Sequence, residues 1–272
     1  MKPPATAPSA ADPWAGLRAH TPARIGLARS GSAVATKALL AFRADHARAR
    51  DAVGDELDTE ALAGALASLG ARFGAPLDQV LTVASAAPDR ATYLRRPDLG
   101  RRLDAAAAAH LAAHRASYDL VVVIADGLSA RAVQAAPALL AGLLPRLGGW
   151  RLAPFVVARQ ARVALGDAVA AALGAGAVAV LIGERPGLTV PVSLGAYVTW
   201  LPRIGSTDAE RNCLSNIHAT GTPPAAAAQR LAALLGLMRQ RGLSGVGLKE
   251  EGDLIAESKI RSDGIVGSDF LL

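Results

Sequence analysis

Cysteine is almost missing from this chain: Cys213 is the single one in 272 residues. That excludes an internal disulfide and any multi-cysteine zinc or iron–sulfur site. Histidine is also scarce, and His20, His46, His110, His114 and His218 form no HExxH pair, so no metal-ligand set is expected. Aromatic residues make up 4%, too few for the stacking platforms that hold single-stranded nucleic acid. Lysine is rare as well, since all but four of the 29 basic residues are arginine. These arginines are dispersed, with local pairs at Arg95-Arg96 and Arg101-Arg102, so the net charge of +6 does not form a nucleic-acid footprint. Nor is there a long apolar run: Ala168–Gly183 is interrupted by Leu-Gly-Ala-Gly and falls short of the roughly 20 residues a membrane span needs. Neither a nucleic-acid nor a membrane partner is expected. The Pro/Ala-rich Met1–Pro13 lacks the apolar core of a secretory signal, and a cytoplasmic protein is expected.

What the sequence does have is apolar mass, 51% hydrophobic against 19% charged residues, enough for one large core or two modest ones. Residues 1–15 read as a disordered tail. Residues 16–115 read as mainly helical. After Ser30-Gly31-Ser32, the residues Ala38, Leu39, Phe42, His46 and Val53 recur near helical spacing. A second amphipathic segment runs over 59–73, and Pro97 opens a third helix carried by Leu99, Leu103, Ala107 and Leu111. From Tyr118 the pattern changes to short apolar runs at Leu120–Ile124, Ala153–Ala158, Ala177–Ile182 and Tyr197–Leu201, as in strands buried on both faces. Helices are expected between or after them at 129–144, 165–173 and 224–239. The order predicts a doubly wound, mostly parallel Rossmann-like sheet over 116–249, with ligands beyond the carboxyl ends of its strands. Residues 250–272 read as a flexible extension.

Several segments invite a chemical reading. Gly26-Leu-Ala-Arg-Ser-Gly31-Ser32 has P-loop glycine spacing, but Ser32 stands where the lysine is required, so a turn capping the next helix is the better reading. Asp126 ends a strand run and is expected to cap the following helix, with ligand orientation as the alternative. Gly183-Glu184-Arg185-Pro186-Gly187 is a tight turn whose shape does not need its Glu-Arg pair, which leaves open a solvated salt bridge or a ligand contact. Cys213 reads by default as a small buried hydrophobe. His218, five residues on, is the only nearby base, and a Cys-His pair is disfavoured.

Taken together, five stretches resemble the small (light) subunit of ethanolamine ammonia-lyase. They are 23–31 (ARIGLARSG), 93–103 (YLRRPDLGRRL), 124–129 (IADGLS), 182–188 (IGERPGL) and 211–217 (RNCLSNI) followed by Gly221-Thr-Pro-Pro224. They run in order across most of the chain up to Lys249. The resemblance implies an adenosylcobalamin-dependent lyase built as a hetero-oligomer. A large subunit binds ethanolamine, which becomes acetaldehyde and ammonia by radical chemistry, and the small subunit closes over the cofactor. Activity would exist only in that complex, with no catalytic residue contributed by this chain. Carried over by position, the cofactor contacts fall on Val163, Glu184 and Cys213, and residues 16–115 are the expected partner surface. Cobalamin proteins that replace the cofactor's own base use an Asp-x-His-x-x-Gly loop. The residues two before the five histidines are Arg18, Ala44, Ala108, Ala112 and Asn216, so the cofactor is expected base-on. Delivery into a bacterial microcompartment is left open, the N-terminal extension being short. The rival reading is a non-catalytic nucleotide- or small-molecule-binding module of doubly wound fold.

Overall fold

A computed structural model describes residues 13–248 except 22, 28 and 31, so most of the proposed N-terminal tail and all of the 250–272 extension lie outside the described residues. The chain opens with α1 (Ala15–Arg18) and a short hairpin, β1 (Arg29–Ser30) against β2 (Ala33–Val34). Within the P-loop-like segment Arg29–Ser30 is a hairpin strand, and α2 (Thr36–Gly54) starts beyond it with no side-chain cap. Then come α3 (Thr59–Gly70), β3 (Val80–Ala84), α4 (Arg90–Arg95), α5 (Ala105–Ala112), β4 (Tyr118–Ala125), α6 (Ala136–Leu143), β5 (Phe155–Arg159), α7 (Leu165–Leu173), β6 (Ala175–Gly183), β7 (Leu194–Trp200), β8 (Arg211–Ile217) and α8 (Pro224–Arg241).

Six strands form one sheet in the order β3-β5-β4-β6-β7-β8. The first four are mutually parallel, β7 is antiparallel to β6, and β8 is antiparallel to β7. The α/β, mostly parallel architecture agrees with the sequence reading. Three features differ from it. The Tyr197–Leu201 run belongs to an antiparallel strand, because the link from β6 to β7 carries no crossover helix, and without one the chain can only return. β3 and β8 went unread because both are edge strands without a continuous apolar run: β3 alternates in burial, and along β8 only Arg211, Leu214 and Ile217 are buried. β3 brings a strand from the region expected to be mainly helical into the main sheet.

Helix boundaries follow local chemistry. Asp89 accepts from the Thr92 amide and Asp104 from the Ala107 amide, so α4 and α5 are separately capped, and the single helix expected from Pro97 is a 3-10 turn, Leu99–Arg101, followed by α5. The expected 129–144 helix begins as a 3-10 stretch, Ala130–Ala135, and becomes α-helical where Pro137 occupies the first turn, a position whose missing N–H costs no hydrogen bond. Each sheet face has its own core. Leu66, Leu139, Phe155, Leu181, Leu214 and Leu231 pack under α3, α6 and α8, and Leu111, Val123, Val156, Leu165 and Val180 under α5 and α7.

Candidate functional site

Register places the candidate residues. On the α5–α7 face one row across the sheet reads Val156, Val123, Val180, Tyr197, Cys213. The helices cover its first three members. Tyr197 is half-buried and Cys213 is exposed, so the row emerges from under α7 onto a shelf of β7 and β8 that no described helix covers. The opposite side of the same strands lies against the α8 core through Ala196, Val198 and Leu214. Cys213 therefore is not the buried hydrophobe expected. Its edge strand points it to the face that no described helix covers.

The next row toward the strand ends pairs Ile182 with Gly195, and Glu184 follows directly. Glu184 is half-buried; its Oε2 accepts from the Ser193 hydroxyl at 2.5 Å and from the Asn216 amide at 3.2 Å. Its own N–H donates to the Ser193 carbonyl at 2.9 Å. Ser193 and Asn216, not the exposed Arg185, are thus its partners, and the carboxylate ties the end of β6 to the start of β7 and the end of β8. Gly195 leaves room for it: a Cβ there would lie 2.9 Å from Glu184 Oε1 and 3.1 Å from the Tyr197 ring.

Val163 lies in the loop between β5 and α7, half-buried against the same apolar cluster that Tyr197 joins. Its carbonyl accepts from Gly166 at 3.0 Å. A side chain at Gly166 would collide with Val180, the register partner of Tyr197. Val163, Glu184 and Cys213 thus border the same face of the sheet, with Tyr197 between the last two. No feature of composition or periodicity marks Tyr197; only the pairing register does.

The electrostatics of the shelf are those of a quiet thiol. Although Cys213 is exposed as a residue, its sulfur sits in the crease beside Tyr197. This local burial pushes the thiol above its ordinary pKa, a hydrogen bond with Tyr197 opposes the shift, and the Glu184 carboxylate adds to it. Burial likewise pushes the Tyr197 phenol up, with the Cys213 thiol acting in the same direction. His218 is engaged by Asn216 Oδ1 at 2.6 Å and by Thr220 at 3.1 Å, so it does not act as a base for the thiol. A raised thiol without a base is a poor nucleophile.

Asp126 does not cap a helix. Its Oδ1 accepts from the Ala161 amide at 3.1 Å and its Oδ2 pairs with Arg90 at 3.2 Å. It lines a crevice of about 480 Å³ at the carboxyl ends of β3, β4 and β5, together with Ser85, Arg90, Asp104 and Gln160. Among the described residues no group of three or more His, Cys, Asp or Glu is placed to hold a metal ion, and no helix is long and apolar enough to cross a membrane.

The sheet defines a Rossmann-like α/β protein, with a shelf on β7 and β8 that no described helix covers. A family model described as Ethanolamine ammonia-lyase light chain (EutC) matches residues 11–249. The Ethanolamine ammonia-lyase small subunit of Rhodopseudomonas palustris (strain BisA53) is 52% identical over 249 residues, 90% of this chain and 93% of that protein. The protein of the same name from Xanthomonas campestris pv. campestris (strain B100) is 49% identical over 260 residues, 93% and 92% of the two chains. That from Ralstonia nicotianae (strain ATCC BAA-1114 / GMI1000) is 48% identical over 251 residues, 89% and 90%. The chain belongs to the ethanolamine ammonia-lyase light-chain family.

Proposed function

We propose that this chain is the small subunit of an adenosylcobalamin-dependent ethanolamine ammonia-lyase, and that it closes over the cofactor while a large subunit binds ethanolamine. The observation that carries the reading is the β7–β8 shelf that no described helix covers, bordered by Val163, Glu184 and Cys213. The fit is physical. Cys213 is exposed on the shelf, the missing side chain of Gly195 gives room to the Glu184 carboxylate, and Glu184 Oε2 is anchored. When bound, adenosylcobalamin supplies a radical by homolysis of its cobalt–carbon bond, and the protein's part in such chemistry is to bind, orient and shield. Glu184 would accept hydrogen bonds from amide groups of the cofactor, Val163 would give an apolar wall, and Cys213 a small, uncharged contact.

The partner surface is proposed on the 16–115 region. Over most of its 19 residues α2 is uncovered: only Ala49 and Ala52 are buried, and Leu39, Leu40 and Phe42 are exposed. Most helical stability in proteins comes from packing an apolar face against a neighbour, so a large subunit packing on α2 would supply the missing contacts. The cytoplasm is the proposed setting, with encapsulation in a bacterial microcompartment as the variant that cell fractionation would reveal.

The test is a visible absorption titration of adenosylcobalamin into this chain mixed with a candidate large subunit. Spectral binding and ethanolamine deamination are expected in the mixture, and no deamination by this chain alone; turnover by the isolated chain would sink the assignment. The base-on state is checked by electron paramagnetic resonance of cob(II)alamin in the complex. Nitrogen superhyperfine splitting should respond to isotopic labelling of the cofactor's base and not to labelling of protein histidine. Uptake of a nucleotide in place of cobalamin would favour the rival binding-module reading.

A further inference from the structure

Ala161, two residues before Val163, has both of its backbone polar groups held by buried side chains from other elements. Its N–H donates to Asp126 Oδ1 at 3.1 Å, and its carbonyl accepts from the Tyr93 hydroxyl at 3.0 Å. Tyr93 is fully buried, and the Arg162 guanidinium lies 4.6 Å from its ring centroid. The preceding residue, Gln160, is held at φ +53°, a left-handed conformation that costs a non-glycine residue about 1 kcal/mol or more and persists only where its surroundings impose it.

The same aspartate reaches the other side of the site through its own turn. Gly127 adopts φ +54° so close to the Gly183 carbonyl that a Cβ would come within 2.2 Å, and the Leu128 amide donates to that carbonyl at 2.9 Å. Gly183 is the residue before Glu184. Arg90 locks this turn from below. Its Nη1 donates to Asp126 Oδ2 at 3.2 Å and to the Gly127 carbonyl at 2.8 Å, and its Nε donates to the Val53 carbonyl of α2 at 3.0 Å. The side chains of Arg90 and Asp126 are 8% and 4% exposed. Burial pushes the Asp126 carboxyl above its ordinary pKa, against backbone hydrogen bonds and the Arg90 charge. Keeping such a pair out of water is costly, and well-packed apolar residues would often be as stable, so stability alone does not explain it.

We propose that Asp126, held by Arg90 and assisted by Tyr93, is a positioning residue that sets the Val163 loop and the Glu184 turn relative to each other, and so sets the gap in which the cofactor is gripped. The use of that gap rests on the cobalamin reading above; the mechanical coupling of the two loops does not.

The experiment uses the reconstituted two-subunit complex and adenosylcobalamin itself as the probe. Asp126→Ala should raise the cofactor Kd roughly tenfold or more, by loss of a charge-assisted hydrogen bond to the loop. Asp126→Asn retains an acceptor for the Ala161 amide but leaves Arg90 without its counter-charge. It should therefore lower the melting temperature while keeping most of the affinity. Tyr93→Phe removes only the hydroxyl from a packed ring and should raise Kd several-fold with the fold intact; it decides the matter if the Asp126 variants fail to fold. A purely structural role predicts affinity falling in step with melting temperature across all three, and that pattern, or unchanged affinity in Tyr93→Phe, overturns the proposal. If the wild-type complex takes up no cobalamin, the cofactor reading fails by itself. Hydrogen exchange then tests the coupling: Asp126→Ala should speed exchange at 161–164 and at 183–184 together, and a change confined to one segment overturns it.

Discussion

Asp167 and Arg211 meet through two parallel hydrogen bonds, Nη1 to Oδ1 and Nη2 to Oδ2, each 2.7 Å long. The pair joins the first turn of α7 to the first residue of β8, and its side chains are 0% and 2% exposed. Arg211 extends the row Val121, Val178, Thr199, and its Nη1 also donates to the Thr199 hydroxyl at 3.0 Å. This bond fastens the otherwise bare antiparallel strands to the helix-covered part of the sheet and fixes where the shelf begins.

Asp167→Ala should be among the most destabilising single substitutions in the chain, by about 3–5 kcal/mol, because it removes the buried partner of a buried guanidinium and leaves it only the fully exposed Asp208 carboxylate, 3.5 Å from its Nε. Denaturant unfolding monitored by circular dichroism checks this. A loss below about 1 kcal/mol would mean that the pair acts as an exposed one.

Glu184→Ala should act on binding more than on folding. Ser193 is half-buried and Asn216 exposed, so water can replace the carboxylate on both. The lost acceptor should raise the cobalamin Kd of the complex roughly tenfold with little change in melting temperature. The opposite pattern would make Glu184 a tether of the strand ends only.

Gly195→Ala tests the shape of the shelf. The added methyl would press on Glu184 Oε1 and the Tyr197 ring, 2.9 and 3.1 Å away. The carboxylate end is flexible and can give way, so the chain should fold, but cofactor uptake by the complex should weaken. Unaltered uptake would show that the space in front of Gly195 is not used.

Cys213 should alkylate slowly near neutral pH. Because burial raises its folded pKa, less thiolate is present at any given pH than in an ordinary cysteine, and the iodoacetamide rate should still be climbing at the pH where that of an ordinary cysteine has levelled off. A plateau near neutral pH would reveal an activated thiol. Bound cobalamin in the complex should slow the reaction further.

The sequence by itself determined three of the four parallel strands, β4, β5 and β6, because strands buried on both faces must be apolar throughout, as Leu120–Ile124 and Ala177–Ile182 are. It also determined α7, whose 165–173 span is bounded by Gly174 at φ +79°, and the family, through ordered motifs such as Arg211–Ile217. Tertiary structure alone decided the antiparallel turn-back at β7, the exposure of Cys213 on an edge strand, and the use of Asp126 as a tie to Ala161 and Arg90 in place of a helix cap. A strand's direction is set by what connects it and its exposed face by which helices cover it, while a carboxylate's partners can come from distant positions: Arg90 and Asp126 lie 36 residues apart. Local sequence carries no record of such pairings. The fold brings them together.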